Sequence, residues 1–338
     1  MKKLTSLLLI ILLLVFAACS TTEAGRIDRW NDEIDIKFNI RLLTGKLNED
    51  GSVNTDESEE GFFVYSKNPG TQVKPDWAGG EYSYTVKHVN NKWELTQSTT
   101  LNEKFYKANF DLFQSDDWKE KVPSTVYTED KDDENDADTA YVLFTTTVTS
   151  AVTFKTFNKN GGAEKSEKAV KGVFVNIAEE DSSTEHEIWY NDYTVKVDYS
   201  GETAATTFTD RAENWDLPSS QSVKVTENVF DNEMFIFAVR ALNFKNIVDK
   251  SETFPSYNGL NQKEQTIVVS VHEENAGTAA ALYCVAVGPE GEAYPYLFQF
   301  ENSTAPEKMV RPVNSLGGKV QGYDLLSFSQ GYLKFEKV

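Results

Sequence analysis

Apolar and polar residues alternate in short runs over most of the chain. Ile34, Ile36, Phe38 and Ile40 alternate with Asp35, Lys37 and Asn39, the period of a half-buried β-strand. Further aromatic and β-branched runs are Gly61–Ser66, Glu81–His88, Lys92–Thr96, Phe105–Phe110, Thr139–Phe157 and Val170–Ile177. The second half continues the style with Glu187–Tyr190, Tyr193–Tyr199, Gln221–Val225, Met234–Arg240, Gln265–His272, Ala281–Val287, Ala293–Phe300 and Gly331–Val338. Asn90-Asn91 predicts a tight hairpin, because Asn tolerates the positive φ such turns need. Asn160-Gly161-Gly162 predicts another turn. No strong amphipathic helical pattern interrupts the series. Many short strands at this spacing predict an all-β fold of packed sandwiches.

The N-terminus breaks the pattern. Lys2 and Lys3 precede an apolar run from Leu7 to Ala18, then Cys19. That is the order of a secretory signal, and its core is short of the about 20 residues a transmembrane helix needs. Val15-Phe16-Ala17-Ala18-Cys19 resembles a bacterial lipobox, with Phe16 where Leu is usual. Residues 1–18 are therefore expected to be a signal peptide, and Cys19 the site of lipidation. No later stretch is apolar enough to span a bilayer, so outer-membrane contact would rest on Cys19. Cys284 lies in an apolar run and reads as a small buried hydrophobe.

Charge narrows the partners. Without Lys2 and Lys3 of the signal, 31 basic residues stand against 53 acidic ones, a balance of −22. That argues against nucleic acid, whose binding depends on neutralising phosphates. The 320 residues after an 18-residue signal in a chain of 338 suggest two domains, since single cores rarely exceed about 250–300 residues. The polar run Ala178–Thr184 marks the boundary, giving a spacer at 19–33 and domains at 34–180 and 181–338.

Candidate chemistry is sparse. His88, His186 and His272 show no metal-ligand spacing. No phosphate loop, nucleophile elbow or zincin motif is present, so neither an enzyme nor a cofactor is expected. The acidic run 129–138 carries Asp130, Asp132 and Glu134 at alternate positions. However, Asn135 and Tyr141 stand where a calcium loop needs Gly and a bidentate Glu, and a solvated loop is the plainer account. Trp77 and Trp118 lie in polar contexts and are the candidates for stacking on sugars, whereas Trp93 and Trp189 lie inside strand runs and are expected to pack.

The opening order carries a likeness. A lipobox cysteine is followed by a polar spacer, then a first strand, Asp35–Ile40, ending at Arg41. A polar loop, Asn48–Glu60, leads to Gly61–Ser66, the Tyr82–His88 strand, the Lys92-Trp93 return and Phe105–Ala108. Over roughly residues 1–180 this resembles the fimbrillin family, lipoprotein-type subunits of type V pili. The resemblance implies two transthyretin-like β-sandwich domains and assembly by strand exchange. An Arg-specific protease would remove the first strand at the cell surface, and a donor strand from another subunit would fill the groove. It implies Ile34, Ile36, Phe38 and Ile40 as the removable strand and Arg41 as the cleavage site. Leu333 and Phe335, in Tyr332–Val338, fall on the candidate donor strand. The plainer alternatives are that Arg41 ends a permanent edge strand and that the C-terminal run is an ordinary last strand. Expected partners are other fimbrial subunits, the outer membrane through Cys19, and a host or glycan receptor, with the chain in a stalk or tip position and an adhesion role. The rival expectation is a surface glycan-binding lipoprotein.

Overall fold

The computed structural model describes residues 33–42, 46–47, 53–54, 76–107, 111–130, 140–158, 161–180, 183–210, 217–240, 242, 244–276, 281–291, 296–301, 310–312, 319–321, 324–330 and 333–338. The protein is mainly β, 71% strand. In chain order the first strands are β1 (Ile34–Leu42), β2 (Lys46–Leu47), β3 (Val53–Asn54), β4 (Asp76–Val89), β5 (Lys92–Tyr106), β6 (Tyr127–Glu129) and β7 (Tyr141–Asn158). The middle of the chain gives β8 (Gly161–Glu180), β9 (Ser183–Ser200), β10 (Thr203–Thr209), β11 (Ser220–Lys224) and β12 (Phe230–Asp231). After two short helices, α1 (Phe235–Arg240) and α2 (Phe244–Ile247), come β13 (Ser251–Asn258), β14 (Lys263–Glu274), β15 (Leu282–Pro289) and β16 (Tyr296–Glu301). The last are β17 (Val310–Pro312), β18 (Lys319–Gln321), β19 (Asp324–Gln330) and β20 (Leu333–Lys337).

Backbone hydrogen bonds join β11-β10-β9-β8-β7-β5-β4-β1-β20-β19-β16-β15-β14-β13-β12 in that order, with β6 beside β7, as a 16-stranded ladder. Within the fold lie a nine-stranded antiparallel sheet and a five-stranded curled half-barrel. Among the described strands every pairing is antiparallel except β12 with β13, and an isolated parallel bridge joins Val248 to Val271. The far end curls back on the middle, where the Gly162 N–H donates to the Val229 carbonyl at 3.4 Å. Gly161 has φ +115°, and a Cβ there would lie 2.7 Å from the Phe230 nitrogen, so only glycine fits this closure.

The main core lies inside the curl. It gathers the inward side chains of β1, β4, β5 and β7 with those of β13 to β16, β20 and both helices. A second cluster packs Phe105, Phe113, Trp118 and Phe144 with Val173 and Ile188. A third joins Tyr193, Val195 and Phe208 with Tyr257.

Several expectations hold in detail. Asn90 and Asn91 turn β4 into β5 with φ of 51° and 62°. The Val170–Ile177 run lies in β8, and the last run forms β20. One is corrected: Met234–Arg240, expected as a strand, is mostly helix. Met234, Phe235, Ile236, Phe237, Ala238 and Val239 are all buried, so apolar residues face every direction and no helical period shows. At the expected domain boundary, Ala178–Thr184, β8 and β9 pair up to Glu180 opposite Ser183, and residues 181–182 lie outside the described residues. The main core draws on residues from both sides of that position. The expected Gly61–Ser66 strand lies outside the described residues.

Candidate functional site

β1 is the seam of the ladder. Its Ile36, Phe38 and Ile40 lie opposite Tyr84, Tyr82 and Gly80 of β4, while Phe38 to Leu42 pair with Lys337 to Leu333 of β20. The alternation read from sequence is realised: Ile34, Ile36, Phe38 and Ile40 are 5%, 8%, 1% and 3% exposed. The Phe38 ring lies 5.6 Å from that of Tyr82, which is 5.6 Å from Phe335. Gly80 admits Ile40 closely, since a Cβ there would stand 2.6 Å from the Thr100 carbonyl and 3.3 Å from the Ile40 Cβ. Burying four such side chains stabilises the fold by about 6–12 kcal/mol, at about 1.5–3 each.

Arg41 is not the end of an edge strand, because β1 is paired on both sides. Pairing with β4 stops at Ile40, however, so among the described residues the strand partner of Arg41 and Leu42 is β20, opposite Lys334 and Leu333. A protease needs its substrate extended and unpaired, and freeing two residues from one neighbour costs far less than opening a central strand. Phe335, the candidate donor residue, is buried opposite Ile40, and Leu333 pairs with both Leu42 and Gln330. Cys19 lies outside the described residues.

Beside the seam runs a polar network the sequence reading missed. The Tyr82 hydroxyl donates to Gln97 Oε1 at 2.6 Å, and Gln97 Nε2 donates to the Glu233 carbonyl. The Glu233 carboxylate pairs with Lys168 Nζ at 2.9 Å. Glu233 N–H donates to Asp231 Oδ1 at 2.9 Å, which caps the turn leading into α1. Tyr199 donates to Asp231 Oδ2 at 2.6 Å. Asp231 is 2% exposed. Burial pushes its carboxyl up to about 6 and the Glu233 charge pushes the same way, against hydrogen bonds from Ser166, Tyr199 and the Glu233 amide. Tyr199 also walls a cavity of about 290 Å³ that reaches Lys155, Glu164 and Asn228. The Asp231-Asn232-Glu233 run before an apolar stretch is the one sequence signal, a helix cap.

The tryptophan expectations hold only in part. Trp118 is 2% exposed and packs edge-on at 5.6 Å, 4.7 Å and 5.6 Å from Phe113, Tyr127 and Phe144. The 3-10 turn Asp117–Glu120 carries it down as a lid on the second cluster, so no face is open to a sugar. Trp93 is buried, as expected. Trp189, expected to pack, is exposed and stacks on exposed Phe174. Trp77 falls on the second residue of β4, opposite Glu103, before a register shift at Gly79.

The histidines stay apart. His88 is exposed by Trp93, His186 pairs with Ile177 in the β8–β9 hairpin, and His272 lies 3.6 Å from Asp249. At the start of the acidic run, Glu129 accepts from Lys119 at 2.8 Å and lies 3.7 Å from Lys107, while 131–138 lie outside the described residues. Among the described residues no group of His, Cys, Asp and Glu could hold a metal ion. Cys284, expected buried, is half-buried on β15 between His272 and Gln299. Compared with known proteins, the chain matches no family model, no curated protein and no solved structure.

Proposed function

We propose that the chain is a structural subunit of a cell-surface fimbrium. It is exported as a lipoprotein on Cys19, and it joins the filament by donor-strand exchange after a cut at Arg41 allows a competing strand to displace β1. The observation that carries this is the position of β1, a strand whose Ile34, Ile36, Phe38 and Ile40 are all buried and which joins β4 on one side to β20 on the other. Without it, the edges of β4 and β20 would face each other across about 10 Å, two strand spacings. Both edges would present unpaired backbone groups above an apolar slot lined by Tyr82, Tyr84 and Phe335, and a donated strand satisfies both needs at once.

The finer architecture of this proposal, two transthyretin-like sandwiches, has β1 and β20 at the joint between them. Loss of β1 then opens that joint, and β20 becomes the strand free to re-pair with another copy. Limited trypsin digestion of the purified chain, followed by incubation at high concentration, tests the proposal. A cut at Arg41 should give a ladder of oligomers. A nicked chain that remains monomeric with itself and with co-purified surface subunits would defeat the proposal.

A further inference from the structure

Large exposed apolar side chains among the described residues are mostly scattered, as at Val89, Leu297 and Val338. Phe174 and Trp189 are different. They are direct cross-strand partners on β8 and β9, with rings 5.7 Å apart and 15° from parallel, and they are 56% and 36% exposed. The hairpin that bears them is anchored, because Val173 and Ile188 are buried, with Val175 and Tyr190 against the cluster of Phe105, Trp118 and Phe144. Its approach to β7 is close: a Cβ on Gly172 would meet the Thr146 side chain at 2.3 Å, and Val173 N–H donates to Thr146 Oγ1 at 3.3 Å. The aromatic pair is thus held outward by packing on its neighbours.

Charge says what such a pair would meet. From Gly172 to Val195 the sequence carries Glu179, Glu180, Asp181, Glu185, Glu187 and Asp192, and no Lys or Arg. The register sets Glu187 opposite Asn176 and Glu185 opposite Ala178, further along β9 from Trp189, while Asp192 lies opposite Lys171. Aromatic faces attract ammonium and guanidinium groups, and an excess of acidic residues along the same strands raises the local concentration of cations.

We propose that the β8–β9 arm is a docking surface for an Arg- or Lys-bearing segment of a partner protein other than this chain, with Phe174 and Trp189 as the anchor and the acidic residues as the collar. A second copy is a poor occupant. The chain carries a net charge of −20, and pairing two arms would set like collars together. The proposal stands whether or not the chain is a filament subunit.

The test is binding of an arginine–glycine repeat peptide to the full mature chain at physiological ionic strength, by calorimetry. The Phe174→Thr/Trp189→Thr variant, which keeps strand-forming residues and all charges, should bind about tenfold more weakly or worse, the scale of a lost aromatic anchor. Trp189→Tyr should restore most of the affinity. Glu185→Gln/Glu187→Gln should flatten the salt dependence. Equal binding by wild type and the double Thr variant would overturn the proposal, leaving charge attraction alone. So would absence of peptide binding, whether the wild type is then found to dimerise through Trp189 or to bind neutral polysaccharide through it.

Discussion

Asp231 shows how much one buried group governs. Its neighbours hold the carboxyl in place, yet burial raises its pKa from 3.8 to about 6. The folded state therefore binds its proton more tightly than the unfolded one. Stability from this group is fully present below about pH 4 and is lost as pH rises through 6, by about 2–3 kcal/mol in all. In chemical denaturation from pH 4 to 7, wild type should lose that amount relative to Asp231→Asn, which has no proton to lose. Parallel curves for the two proteins would show that Asp231 does not titrate in this window. The tryptophans teach a second lesson at this scale. Trp118 has polar neighbours in the chain and aromatic ones in space, while Trp189 has the reverse exposure to that its strand context suggested. A residue's surroundings along the chain report burial only where a regular element repeats them, and a 3-10 lid does not.

At the scale of elements, β1 was legible because a strand with one face in the core writes its burial with period two. Ile34 to Ile40 did so without a break. The helix α1 was not legible, since a segment enclosed on all sides has no polar face to mark its period. Nor was the seam: which strands flank β1 depends on β20, almost the whole chain away. The packing carries a consequence for assembly. A cut at Arg41 leaves β1 bound through its two neighbours and four buried side chains, so release needs a competing strand or mild denaturant. Phe38→Ala should destabilise the intact chain by about 3–5 kcal/mol. After nicking, the same change should speed loss of the residue 19–41 peptide, read by mass spectrometry of the retained complex. Equal release rates in both proteins would mean that Phe38 does not hold the strand.

Among the described residues one 16-stranded ladder carries a main core and two smaller clusters, and β1 joins the β4 edge of one half to the β20 edge of the other. The mainly β composition was readable from sequence. Its long-range order was not, because antiparallel neighbours such as β4 with β5 announce themselves by a turn, whereas β1 with β20 does not. A net charge of −20 makes copies repel one another, so the proposed assembly would rely on a specific strand rather than on general stickiness. The central claim is that β1 is discarded when the protein enters a surface filament. Intact-mass measurement of the chain recovered from the cell surface in assembled form tests it most directly. The account predicts an N-terminus at Leu42 with no residue 19–41 peptide attached. An assembled chain that still begins at a lipidated Cys19 and carries β1 would contradict it.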